Sequence, residues 1–216
     1  MYIVLLGAPG SGKGTQAEKI RDYYKIPHIS TGDIFRQEIK KDPLGGKEIA
    51  KLINVGRLAP DDIVIKLVGD RLSQEDCKDG ALLDGFPRTI EQAKCLDELC
   101  KNFGQRIVVV NLVVPRELLI KRVLGRRVCI ECAKNYNFSD DCTSLDELAK
   151  KRCDCGGKLF NREDDNADIF KTRLEVYDEW TAHLIEYYTK KGNLISIDGA
   201  QDTQKVFNSI AHNIKL

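Results

Sequence analysis

The sequence predicts an α/β fold: a doubly wound, parallel, five-stranded sheet with helices on both faces. Three observations predict it. Five short apolar runs alternate with segments of helical spacing, and there is no internal repeat. The first run, Tyr2–Leu6, leads into Gly7-Ala-Pro-Gly-Ser-Gly-Lys-Gly-Thr15 and then into helical spacing, which is the order that a phosphate-cradling loop requires. A later run, Ala81–Leu83, ends in Asp84, and α/β sheets bind ligands at the carboxyl ends of their strands.

In the first unit, Tyr2–Leu6 reads as a buried strand and Gln16, Ala17, Ile20, Tyr23 and Tyr24 mark the helix. The glycines between them let successive N–H groups turn inward, the helix aims its positive dipole end there, and Lys13 adds a point charge. The loop departs from G-x-x-x-x-G-K-[ST] by placing Gly14 after the lysine and Thr15 one position later. His28-Ile29 is a short strand, and Ser30-Thr31-Gly32-Asp33 supplies capping chemistry for a helix through Ile34 and Ile39. Arg36 falls about one turn into that helix, within guanidinium reach of an anion at its mouth. Gly45-Gly46 then breaks the chain, and a second short helix runs to about Asn54. Gly56–Asp62 is a loop that ends in helix-cap carboxylates, so residues 30–59 form a helical excursion from the sheet.

Helical spacing returns from Ile63 to Leu72, and after the third strand comes Asp84-Gly85-Phe86-Pro87-Arg88-Thr89. With a phosphate loop in the same sheet, Asp84 is placed to orient the hydration shell of a Mg²⁺ ion. Arg106–Val114 is nearly continuous in apolar character, as a strand covered on both faces should be. The helix after it carries Arg116, Lys121 and Arg122 and ends in Gly125-Arg126-Arg127. A long helix is expected from Phe170 to Tyr188, with Leu174, Tyr177, Leu184 and Tyr188 on its inner stripe, Arg173 off it and His183 packing. Asn193–Gly199 is the last strand and turn, and Val206–Ile214 the last helix.

Eight cysteines in a chain of 216 residues, five of them between Cys129 and Cys155, point to a metal more than to disulfides. Cys129-Ile-Glu-Cys132 and Cys153-Asp-Cys155 flank a polar stretch with too few apolar residues for a core of its own, which suits a zinc-stapled flap. The C-x-C pair is tighter than C-x₂-C, but alternate residues of an extended segment share a face, and Cys142 is an alternative ligand. Cys77, Cys95 and Cys100 read as buried or half-buried thiols. A balance of 34 basic to 33 acidic residues leaves a net charge of +1, so no overall field draws nucleic acid or an anionic membrane. No apolar run approaches ~18 residues and no leader pattern opens the chain, so it reads as cytoplasmic.

Taken together and in order, Gly7–Thr15, Ser30–Asp33, Leu58–Asp62, Asp84–Thr89, Gly125–Arg127 and Arg162–Asp165 closely resemble the adenylate kinase family over essentially the whole chain. The cysteine-bearing interval resembles the long lid of its zinc-containing bacterial members. The resemblance implies a core of residues 1–29, 60–124 and 166–216, a monophosphate-binding insertion at 30–59 and a lid at 125–165. It implies that Gly10, Ser11, Gly12, Lys13, Gly14 and Thr15 hold ATP phosphates, with Arg126, Tyr136, Asn137 and Gln201 in the same site and Arg122 along adenine. It puts Thr31, Arg36, Arg57, Leu58, Ala59, Gly85, Phe86, Pro87, Arg88 and Gln92 around AMP, and Arg162 and Arg173 astride the transferring phosphoryl. It implies a monomer whose partners are ATP, AMP and ADP. The departure is the tight second cysteine pair, since the family's zinc lids usually space those ligands as C-x₂-C or C-x₂-D.

The residues support the same chemistry without the name. Phosphoryl transfer needs alignment and charge stabilisation more than acid–base groups, so Lys13, Mg²⁺, Asp84 and the arginines 88, 126, 162 and 173 are the candidate catalysts. A kinase for UMP, CMP or GMP on the same fold is an open alternative, because bases differ by only a few hydrogen bonds. A regulatory NTPase and a zinc-ribbon nucleic-acid binder belong to other classes. Glycine after the P-loop lysine speaks against the first, and a neutral chain with few aromatics in the flap against the second.

Overall fold

The computed structural model describes residues 1–41, 51–132, 134–138, 151–162 and 165–214. Its central sheet has five strands in the order β2-β3-β1-β4-β8: β1 Tyr2–Leu6, β2 His28–Ser30, β3 Ala81–Asp84, β4 Ile107–Val113 and β8 Leu194–Asp198. Every pairing is parallel. The expected doubly wound sheet is therefore present, and β1 lies between β3 and β4, where strand order reverses and a ligand crevice forms.

Strand side chains alternate between two layers. Tyr2, Val4, Leu6, Leu83 and Val109 face a core built with α3 (Asp61–Leu72), α4 (Ile90–Asn102) and α7 (His183–Lys190). Ile3, Leu5, Leu82, Val110 and Leu112 face the opposite core, against α1 (Lys13–Tyr24) and α8 (Thr203–Asn213). Burial on both sides is why the strand sequences are continuously apolar and not alternating. Each fully buried Leu or Ile contributes about 1.5–3 kcal/mol by leaving water.

α2 (Thr31–Lys41) starts directly at the end of β2, and the Asp33 N–H approaches Ser30 Oγ at 3.4 Å. The Gly45-Gly46 break lies outside the described residues, but residues 51–54 are helical, as expected. α5 (Arg116–Leu124) ends at Gly125, and a second, antiparallel sheet begins at once: β6-β5-β7, from Asn135–Asn137, Arg126–Cys129 and Leu159–Phe160.

Two expectations need correction, and one helix has no clear sequence signal. That helix is α4; Thr89 caps it, its side chain accepting from the Gln92 N–H. The long helix expected from Phe170 is two helices, α6 (Ala167–Val176) and α7, joined through a π-helical turn at Tyr177–Thr181. The wide turn turns Trp180 outward, where it is about half exposed, and buries Thr181, whose Oγ1 donates to the Arg88 carbonyl at 3.2 Å. His183 is exposed instead of packed, since Leu184 and Tyr188 take the inner stripe.

Candidate active site

A cavity of about 880 Å³ opens at the carboxyl ends of β1, β2 and β3 and the start of α1. One wall is the glycine loop. Gly12 sits at φ +95° as the N-cap of α1, a left-handed conformation that glycine adopts at no steric cost, and no side chain caps the first turn. The N–H groups of that turn remain available to an anion. Ser11 Oγ is buried without a hydrogen-bond partner among the described residues, another donor suited to a phosphate oxygen. Lys13 Nζ donates to the Gly7 and Ala8 carbonyls at 2.7 and 3.0 Å. Burial pulls its pKa down to about 8, helped by Arg88, Arg173 and Arg126 and opposed by Asp84.

Asp84 faces the loop from the end of β3. Burial alone would raise its pKa; the approach of His28 and the charges of Lys13 and Arg88 outweigh it and hold the carboxyl below its ordinary range. His28 Nε2 lies 3.7 Å from Asp84 Oδ2, too far for a hydrogen bond, and is buried without another partner among the described residues. By sequence alone His28 is only a strand residue. The β2–β3 register, which pairs Ser30 with Asp84, brings it into the site.

The second wall comes from the excursion and the 84–92 segment. Thr31 Oγ1 donates to the Gly85 carbonyl at 3.1 Å, and Arg88 Nε donates to the same carbonyl at 2.8 Å. Gly85 has φ +83°, and a Cβ there would stand 2.6 Å from Thr31 Oγ1, so only glycine fits. Arg57, Leu58, Ala59, Pro87 and Gln92 line this part of the cavity. Phe86 does not: its side chain is 1% exposed in the core. The Arg36 side chain lies outside what the structure describes, although its backbone is in α2. Asp61 stands in the first turn of α3, as the sequence predicts for a helix-start acid, and its carboxylate also accepts from Thr89 Oγ1 and Gln92 Nε2, both at 2.7 Å.

The third wall is cationic. Arg122, Arg126, Arg162 and Arg173 all line the cavity from α5, β5, the segment after β7 and α6. Arg126 pairs in a fork with Asp165, Nε to Oδ2 at 2.6 Å and Nη2 to Oδ1, and Arg173 Nη1 lies 4.0 Å from Asp165 Oδ1. Asp165 is almost wholly buried. Its carboxylate holds two guanidiniums side by side, as an anionic phosphoryl group would. Nothing in an Arg-Glu-Asp-Asp run tells which acid turns inward. Arg162 Nη2 donates to Asn135 Oδ1 at 3.3 Å, and Arg122 Nη1 to the Gly199 carbonyl at 2.9 Å. Tyr136, Asn137 and Gln201 complete the wall; Asn137 Nδ2 donates to the Arg122 carbonyl at 2.7 Å.

Beside β5 the sulfurs of Cys129, Cys132, Cys153 and Cys155 all lie within 4.8 Å of one another. Contacts of 3.5 Å (Cys129–Cys155) and 3.4 Å (Cys132–Cys153) approach the ~3.8 Å expected for tetrahedral thiolates about 2.3 Å from zinc. The Tyr136 hydroxyl donates to Cys153 Sγ at 3.2 Å, a contact that favours the thiolate a metal needs. The donor set fits structural zinc, C-x-C spacing included. Cys142 lies outside the described residues. Cys77 and Cys100 are buried, with pKa values raised by burial to about 11 and about 12, and Cys95 is half-buried.

Among the described residues, no helix is long and apolar enough to cross a membrane. The family model for adenylate kinase matches residues 5–193. The adenylate kinase of Clostridium tetani is 47% identical over 215 residues, covering 98% of this chain and 97% of that protein. Those of Bacillus cytotoxicus and Caldanaerobacter subterraneus subsp. tengcongensis are each 46% identical over 211 residues, covering 97% of this chain and 96% and 94% of their own lengths.

Proposed function

The chain belongs to the adenylate kinase family, and on that footing we propose how its residues divide the work of moving the terminal phosphoryl group of MgATP to AMP to give two ADP. In this reading the glycine loop, with Gly10, Ser11, Gly12, Lys13, Gly14 and Thr15, holds the ATP phosphates, and Arg122, Tyr136, Asn137 and Gln201 hold its nucleoside. AMP lies against Thr31, Arg36, Arg57–Ala59, the Gly85–Arg88 backbone and Gln92. Residues 30–59 and 125–165 close over the two nucleotides, and residues 1–29, 60–124 and 166–216 stay as the core. The observation that carries the reading is one cavity in which a P-loop, a depressed carboxyl at Asp84 and the arginines 122, 126, 162 and 173 converge.

An oxygen of the AMP phosphate forms the new P–O bond while the bond to the leaving ADP oxygen breaks. No general base is needed, because that phosphate is already ionised. Lys13, Arg88, Arg126, Arg162 and Arg173 neutralise charge on the migrating group, and their fixed positions keep donor and acceptor in line. Asp84 is the carboxylate placed to orient the water shell of a magnesium ion, which would supply positive charge to the phosphates when bound with ATP. Closure excludes water, the competing acceptor. Zinc held by Cys129, Cys132, Cys153 and Cys155 would be structural, since four thiolates would leave no position for substrate or water. We propose a cytoplasmic monomer without nucleic-acid or membrane partners, supported by the near-neutral charge.

The test is a coupled assay for ADP formed from MgATP and each of AMP, UMP, CMP and GMP. AMP alone should turn over rapidly, and comparable rates with UMP or GMP would overturn the assignment of AMP. A pH profile tests Lys13. Its folded pKa, about 8, lies below its ordinary 10.5, so between those values the unfolded chain binds the extra proton and ligand-free stability rises with pH. Phosphate binding moves the other way, since Lys13 loses its charge there. We expect kcat/KM for MgATP to fall above a pH of about 8 and this limb to vanish in Lys13→Arg, whose guanidinium stays charged. A wild-type profile flat from neutrality to pH ~9.5 counts against the lysine as a phosphate ligand.

A further inference from the structure

We propose that Asp61, which does not line the cavity, is a positioning residue that sets base specificity by fixing which way the Gln92 amide faces. The inference rests on the reading above, in which Gln92 meets the base of the monophosphate.

Gln92 is 2% exposed, and both ends of its amide are held. Oε1 accepts from the Arg88 N–H at 2.8 Å, and Nε2 donates to Asp61 Oδ1 at 2.7 Å. A backbone N–H can only donate and a carboxylate can only accept, so these partners determine the oxygen and nitrogen ends. Asp61 is itself held: its other oxygen accepts from Thr89 Oγ1 at 2.7 Å, and Thr89 accepts in turn from the Gln92 N–H at 3.2 Å. The four groups close a ring joining the first turn of α3 to the cap of α4. Turning the amide over would set Nε2 against the Arg88 N–H and Oε1 against the Asp61 carboxylate, two buried repulsions.

An amide carries two lone pairs on oxygen and two hydrogens on nitrogen. One of each is spent in the ring, which leaves one acceptor and one donor in a fixed order. Adenine offers a 6-amino donor beside the N1 acceptor and complements that order. Hypoxanthine and guanine offer a 6-oxo acceptor beside an N1–H donor and demand the reverse. Cytosine shares adenine's order, so the device separates 6-amino from 6-oxo purines and leaves CMP to be rejected by size.

The experiment compares kcat/KM for AMP, IMP and CMP in wild type and Asp61→Ala, with the fold of each checked by circular dichroism and thermal melting. The AMP-to-IMP ratio should fall by about ten- to a hundredfold, the value of one charge-assisted hydrogen bond, and CMP should gain nothing on AMP. A ratio that stays put, an equal loss on AMP and IMP, or a gain for CMP equal to that for IMP would make Asp61 mere scaffolding and overturn the proposal. If Asp61→Ala does not fold, the isosteric Asp61→Asn is read the same way: a smaller fall in the same ratio supports the lock, and no fall overturns it. A wild type that does not phosphorylate AMP would instead sink the parent reading.

Discussion

Lys13→Met should lose about three orders of magnitude or more in kcat while keeping its fold. Lys13 is half-buried at the cavity floor, bonded to the Gly7 and Ala8 carbonyls, with a pKa already depressed by burial. Its charge is therefore costly to maintain in the ligand-free protein, and Asp84 with the two carbonyls offsets only part of that cost. Methionine matches the length and removes the charge, so the buried cost disappears and the melting temperature should hold or rise. The check is a pair of measurements, turnover and thermal melting, on one preparation. Near-normal kcat removes Lys13 from the mechanism; a collapse of both quantities means the lysine holds the loop together and the rate says nothing about charge.

Removing zinc should act on stability first. The protein is expected to carry one Zn²⁺ per chain on Cys129, Cys132, Cys153 and Cys155, and stripping it should lower the melting temperature by roughly 5 °C or more. The β6-β5-β7 sheet has two- to four-residue strands, and among the described residues the buried side chains in it and beside its cysteines are few: Val128, Cys129 and Cys153. Such a sheet needs a staple. Activity at moderate temperature should fall less, because Arg126 starts β5 next to α5 and is held by Asp165, away from the sulfurs. Metal analysis of protein purified without chelator, followed by melting with and without chelator, decides it. Absence of zinc, or full occupancy in Cys153→Ser with loss in Cys142→Ser, overturns this ligand set.

What could be read from the chain and what could not follow a physical line. The glycine loop, the Asp84 strand end and the cysteine pairs carry chemistry in local spacing, so they were legible without tertiary information. Residues whose work depends on a distant partner were not. Asp61 looks like a helix-cap acid until Gln92 and Thr89, on another helix, take both of its oxygens. His28 reads as a strand residue until the β2–β3 register sets it beside Asp84. Asp165 is one acid in a charged run until two arginines from separate elements close on it. The helix α4 went unassigned because charges interrupt its buried positions, Gln92, Ala93, Leu96 and Cys100.

The π-helical turn at Tyr177–Thr181 has a geometric corollary. Such a turn holds about one residue more than an α-turn does, and one α-helical residue is about 100° of rotation. With Leu184 and Tyr188 anchored in the core, that surplus residue sets the azimuth of α6. An uninterrupted α-helix through the same stretch would swing Arg173 about a quarter-turn off the cavity wall while every core contact of α7 stayed in place. The aim of one cavity-lining arginine is thus stored as a phase offset between two helices, set by a count of residues and independent of any contact the arginine itself makes.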